Sequence, residues 1–139
     1  MNEPRGRILV VDDSPTSLKM ARLPLESAGY EVITKKEAVL VSSTILRKKP
    51  HIVLLDVNMP AIQGDKLVEI IRSHPACADT ILLLYSTKTA EELKALARRC
   101  GADGFVQKSA DSSLLVEQMN WWMGRIEGHA KSGPEEVHN

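Results

Sequence analysis

Four short apolar runs in this 139-residue chain each stop at a polar residue suited to handling a phosphoryl group. Arg7-Ile8-Leu9-Val10-Val11 leads into Asp12-Asp13, and His51-Ile52-Val53-Leu54-Leu55 leads into Asp56. Thr80 to Tyr85 stops at Ser86, and Gly104-Phe105-Val106-Gln107 stops at Lys108. These runs are apolar without alternation, the pattern of strands buried on both faces of a parallel sheet. If they lie side by side, three carboxylates, a hydroxyl and an ammonium gather at one sheet edge. Ligand sites in open α/β sheets lie outside the carboxyl ends of the strands.

Segments of helical period separate the runs, so strand and helix alternate five times. The first helix is expected from Ser14-Pro15, a capping hydroxyl followed by proline at the first helical position. Leu18, Ala21, Leu25 and Ala28 mark its inner face and Gly29 its end, while Pro24 is expected to kink it. Tyr30 to Thr34 is expected as the second strand, and Glu37 to Lys48 as a helix with Ala38, Val41 and Ile45 inward. Val57 to Gly64 reads as loop, and Asp65 to Ser73 as the third helix. Thr89-Ala90-Glu91-Glu92 is a capping box that opens a fourth helix, with Leu93, Leu96, Ala97 and Cys100 inward and Gly101 closing it. The last helix follows Ser109 or Asp111 and turns Leu115, Met119, Trp122 and Ile126 to the core. Trp121 lies about 100° away on the same helix, where it either packs or serves as a contact. These features predict an α/β fold: a (βα)5 three-layer sandwich around a five-stranded parallel sheet. Residues 1–6 read as a lead, 7–126 as the domain, and 127–139 as a flexible polar tail.

Composition limits the functions available. Eighteen basic and eighteen acidic residues cancel, which gives no general attraction to nucleic acid or to an anionic membrane. No apolar run approaches the roughly 18–20 residues that span a bilayer, and no apolar signal segment follows Met1. Cys77 and Cys100 form no Cys-x-x-Cys pair and read as reduced, buried thiols of a cytoplasmic protein. The four histidines show no ligand spacing.

Strands spaced by about 4.8 Å would bring Asp12, Asp13 and Asp56 close enough to repel one another strongly. Such a cluster calls for a cation, and carboxylates with a loop carbonyl and waters suit Mg²⁺. Lys108 would add a second positive charge.

The motifs Val-Val-Asp12-Asp13-Ser, Leu-Leu-Asp56-Val-Asn58-Met59-Pro60 with Gly64, Leu-Tyr-Ser86, and Gly101-Ala-Asp-Gly-Phe105-Val-Gln-Lys108 closely resemble the receiver domain of two-component response regulators. The resemblance runs from about Arg7 to Met123, and the quoted motifs fall at all four strand ends in order. It implies a flavodoxin-like sheet of order 2-1-3-4-5, the order of a chemotaxis protein of this family. It implies Asp56 as phosphoacceptor, and Asp12, Asp13, Asp56 and the Asn58 carbonyl as Mg²⁺ ligands. Ser86 and Lys108 are implied to contact the phosphoryl oxygens, and Phe105 to change orientation with Ser86. The implied partners are a sensor histidine kinase or phosphotransfer protein and a downstream target protein. Output would pass through the surface of the fourth helix, fifth strand and fifth helix, with room for a phosphorylation-dependent dimer. A receiver of this kind is not an enzyme beyond its self-phosphorylation and self-dephosphorylation.

Two positions depart from the family pattern. Ser109 follows Lys108 where proline is usual, so the loop is expected to be trans or mobile and to loosen Lys108. Thr87 stands where a smaller residue is usual, so slow turnover of the acyl phosphate is expected. These departures motivate a second reading, a phosphorylation-independent docking module. A third, an aspartate-dependent hydrolase, lacks the second carboxylate at Asn58.

Overall fold

The computed structural model describes residues 3–126. The expected tail and the first two residues of the expected lead lie outside the described residues. The apolar runs form β1 (Arg7–Val11), β3 (Ile52–Asp56), β4 (Ile81–Ser86) and β5 (Gly104–Gln107), with β2 (Glu31–Lys35) beside β1. All neighbours are parallel, and the order is β2-β1-β3-β4-β5. Five α-helices connect and cover these strands: α1 (Pro15–Ser27), α2 (Val41–Lys48), α3 (Gly64–Arg72), α4 (Ala90–Cys100) and α5 (Ser112–Ile126). A one-turn 3-10 helix, Pro75–Cys77, precedes β4.

The alternation of side chains along each strand divides the core in two. Leu9, Val11, Val53, Leu55, Leu82, Leu84 and Phe105 pack with residues of α2, α3 and α4. Ile8, Val10, Ile52, Leu54, Leu83, Tyr85 and Val106 pack with residues of α1 and α5. Each fully buried leucine or isoleucine contributes about 1.5–3 kcal/mol relative to exposure. Both faces of β1, β3, β4 and β5 are therefore covered, which is why these four strands read as continuous apolar runs, whereas the edge strand β2 is only partly buried.

Local signals fix the start of α1 and both ends of α4. The Ser14 hydroxyl accepts from the Ser17 N–H at 3.2 Å, and Thr89 and Glu92 form the expected capping box. Gly101 ends α4 at φ +89°, a conformation that glycine adopts without penalty. Helix α1 continues through Pro24 to Ser27, because the proline lies in its last turn and forfeits one hydrogen bond.

The main correction concerns α2. The helix begins at Val41 rather than Glu37, because Leu40 adopts φ +63° and cannot join a right-handed helix. The Leu40 carbonyl is held by the Thr44 N–H at 3.0 Å and the Thr44 hydroxyl at 3.1 Å. Strand β2 also runs one residue later than expected. Cys77 and Cys100 are free and buried, and burial raises both thiols above their ordinary range. No helix among the described residues is long and apolar enough to cross a membrane.

Candidate functional site

Register places the expected residues together. Val11 pairs with Leu55, Asp56 with Tyr85, and Ser86 with Gln107, so the next residues of β1 and β5 are Asp12 and Lys108 at the same edge. Asp12, Asp13 and Asp56 each offer a carboxylate oxygen within 4.8 Å of the others. Asp12 and Asp56 are buried, at 0% and 5% exposure, while Asp13 is exposed. Three hard oxygen donors converging in this way fit Mg²⁺, which prefers carboxylates and retains several waters.

Burial raises the Asp56 carboxyl above its ordinary value, and the Asp12 charge raises it further. The Lys108 ammonium and the Asn58 N–H, which donates to Asp56 Oδ1 at 3.3 Å, act in the opposite direction. Gly64 lies directly behind Asp56. A β-carbon there would collide with the Asp56 carbonyl oxygen, so only glycine permits this approach of α3 to β3. Asn58 is exposed in the loop between them.

Lys108 closes the site from β5. Its Nζ donates to Asp12 Oδ2 at 2.7 Å, Ser17 Oγ at 3.2 Å and Asp56 Oδ1 at 3.4 Å. The ammonium also lies 5.2 Å from the centre of the Tyr85 ring, within cation–π range. The strand alternation explains this aim: Val10, Leu54 and Val106 face the α1 and α5 layer, and Asp12, Asp56 and Lys108 follow in the same parity. The peptide bond before Ser109 is trans, as expected. The lysine is not loosened, because three side chains hold its ammonium and its N–H donates to the Ser86 carbonyl at 2.8 Å.

Ser86 is buried, and its hydroxyl accepts from the Lys88 N–H at 3.1 Å. The Lys88 carbonyl in turn accepts from Gln107 Nε2 at 2.9 Å, which ties the loop after β4 to β5. Phe105 is buried in the core layer of α2, α3 and α4. Thr87 is exposed and lines a cavity of about 290 Å³ with Ser17, Met20, Tyr85, Lys108 and Leu115. Burial pushes the Tyr85 hydroxyl up to about 12, and the charges of Asp12 and Asp56 contribute to the rise.

Three residues at the site escaped the sequence reading: Ser17, Tyr85 and Gln107. The place of Ser17 three residues after the capping Ser14 puts it on the first turn of α1, but nothing local points it at Lys108. Tyr85 and Gln107 had only their place next to Ser86 and Lys108.

An acidic pocket facing a lysine at the carboxyl edge of a 2-1-3-4-5 sheet defines a receiver-type α/β domain. The chain belongs to the response regulator receiver domain family, whose model matches residues 8–120. It is 28% identical over 115 residues to the protein PilH of Pseudomonas aeruginosa, covering 83% of this chain and 95% of PilH. It is 27% identical over 134 residues to the transcriptional regulatory protein YxdJ of Bacillus subtilis, covering 95% of this chain but 57% of YxdJ. Among solved structures it is similar to the chemotaxis response regulator CheY4 of Vibrio cholerae, with a TM-score of 0.77 and 27% identity. That match covers 84% of this chain and 98% of the CheY4 chain.

Proposed function

We propose that this receiver is a phosphorylation switch in which Asp56 accepts a phosphoryl group from a sensor histidine kinase or phosphotransfer protein. The observation that carries the reading is the Asp56 carboxylate, buried at a strand end between Asp12, Asp13 and the Lys108 ammonium. An Asp56 oxygen attacks the phosphorus and forms the acyl phosphate. The phosphorus–nitrogen bond of the donor breaks, and its electron pair returns to the donor imidazole. Asp12, Asp13, Asp56 and the Asn58 carbonyl would hold Mg²⁺, which would supply positive charge against the phosphoryl oxygens.

The chain's own groups do the remainder. Lys108 turns from Asp12 toward the phosphoryl oxygens as a second counter-charge. The Ser86 hydroxyl leaves the Lys88 N–H to donate to a phosphoryl oxygen, and Phe105 follows into the space released. Withdrawal of Ser86 frees the Lys88 N–H and leaves that residue held through its carbonyl by Gln107. The altered surface of α4, β5 and α5 then meets a downstream protein or a second phosphorylated copy, in the cytoplasm. Half-buried Trp121 lies on α5 with the Arg125 guanidinium 5.0 Å from its ring.

Mass spectrometry after treatment with acetyl phosphate and Mg²⁺ tests the reading. The expected result is a gain of about 80 Da, one phosphoryl unit, that is absent in Asp56→Asn and without Mg²⁺. No gain in the unaltered chain would leave the phosphorylation-independent docking module, the reading that exposed Thr87 and Ser109 favour.

A further inference from the structure

Ser17 is absent from every motif that identifies the site, yet it supplies one of the three acceptors of the Lys108 ammonium. Its place is set by a closed ring of hydrogen bonds. Asp12 Oδ1 accepts from the Ser14 N–H at 3.0 Å, and Ser14 Oγ accepts from the Ser17 N–H at 3.2 Å. Ser17 Oγ accepts from Lys108 Nζ at 3.2 Å, and Lys108 Nζ donates back to Asp12 Oδ2 at 2.7 Å. The ring joins the end of β1, the first turn of α1 and the end of β5.

We propose that Ser17 is a positioning residue for Lys108, one that keeps the ammonium at the pocket while its charged partners change; this rests on the phosphorylation reading of the site. An ammonium has three N–H groups, and here they meet Asp12, Ser17 and Asp56. Two of these acceptors are carboxylates that the reaction claims, Asp12 as a cation ligand and Asp56 as the phosphoacceptor. Ser17 is the neutral acceptor of the three, and neither event withdraws it.

The loop after Lys108 gives the side chain little guidance. Ser109 is exposed, and its hydroxyl accepts from the Asp111 N–H at 3.0 Å rather than reaching Lys108. Without Ser17, an ammonium released by Asp12 has open cavity on one side, the space lined by Met20, Thr87 and Leu115. The hydroxyl shortens the search between its two charged stations.

Two measurements on the full chain test this. Urea-unfolding midpoints, taken without phosphodonor, are compared for the unaltered chain, Ser17→Ala, Lys108→Gln and the double variant. Phosphorylation rates by acetyl phosphate with Mg²⁺ are compared for the unaltered chain, Ser17→Ala and Ser17→Thr. Ser17→Ala is expected to lower the midpoint at least twice as much with Lys108 present as in the Lys108→Gln background, the mark of direct coupling. It is expected to slow phosphorylation roughly 3- to 10-fold, the value of one hydrogen bond, whereas Ser17→Thr, which keeps the hydroxyl, stays within about twofold. Equal midpoint losses in both backgrounds, or an unchanged rate in Ser17→Ala, overturn the proposal. If the unaltered chain takes no phosphoryl group, the switch reading fails and the midpoint comparison alone decides whether Ser17 holds Lys108.

Discussion

Lys108 lies 2.7 Å from Asp12 but 3.4 Å from Asp56, so its ammonium is paired mainly with Asp12. In the absence of a divalent ion the lysine therefore occupies part of the charge-neutralising role that the ion would take. On the proposed reading, Lys108 and Mg²⁺ would compete for Asp12.

Lys108→Met is expected to raise Mg²⁺ affinity roughly 3- to 10-fold, because removing a nearby like charge is worth about 1 kcal/mol. The same change should destabilise the metal-free chain by about 1–3 kcal/mol, since it strips the buried Asp12 of its counter-charge. Calorimetric Mg²⁺ titration reads the first effect and urea unfolding the second. Weaker Mg²⁺ binding in the variant would show that Lys108 assists the ion instead.

Asp56 should impose a pH-dependent cost on the metal-free fold. Burial and Asp12 raise its carboxyl above the ordinary 3.8, so the folded chain holds this proton more tightly than the unfolded chain. The associated stability is fully present below the unfolded value and is lost as pH rises through the raised folded value. Asp56→Asn is therefore expected to be more stable than the unaltered chain near neutral pH without Mg²⁺. Its advantage should shrink as pH falls toward 3.8. Urea midpoints across that range check this, and a less stable Asp56→Asn at neutral pH would contradict it.

Gly64→Ala drives a methyl group into the Asp56 carbonyl oxygen. Backbone cannot yield there as a flexible side chain would, so a loss of about 2–3 kcal/mol is expected. The loop carrying Asn58 must shift, and Mg²⁺ binding should weaken with it. An alanine variant of unchanged stability and Mg²⁺ affinity would show that this approach is not required.

Gln107→Leu removes the side chain that holds the Lys88 carbonyl. Amide hydrogen exchange at Lys88 is expected to quicken about fivefold, with global stability changed by less than about 1 kcal/mol because the site is exposed. Ser86→Ala, which removes the acceptor of the Lys88 N–H, should quicken exchange at the same amide. Unchanged exchange in both variants would mean that this loop is held elsewhere.

The strands and the acidic cluster were legible because both depend on short-range pattern. An apolar run that ends in aspartate, serine or lysine already states where a strand stops and what its edge carries, and Asp12, Asp56, Ser86 and Lys108 all follow that rule. The start of α2 was not legible, since Ala38, Val41 and Ile45 keep helical spacing straight across Leu40. Only the backbone angle of Leu40 breaks the helix there. Ser17 and Tyr85 were hidden for a different reason. Their contacts with Lys108 depend on how α1 and β4 lie against β5, at sequence separations that no local pattern reports.

The two-sided sheet has a consequence for tolerance to change. Neighbouring residues of a strand project into opposite helical layers, so Asp12 and Asp13 are chemically alike but occupy opposite parities. Inserting one residue within β1 would move Asp12 into the parity of Asp13, sending its charge toward the layer of α2, α3 and α4, and would turn Val11 toward Lys108. An apolar substitution in β1 keeps this alternation, whereas a change in the number of its residues breaks it.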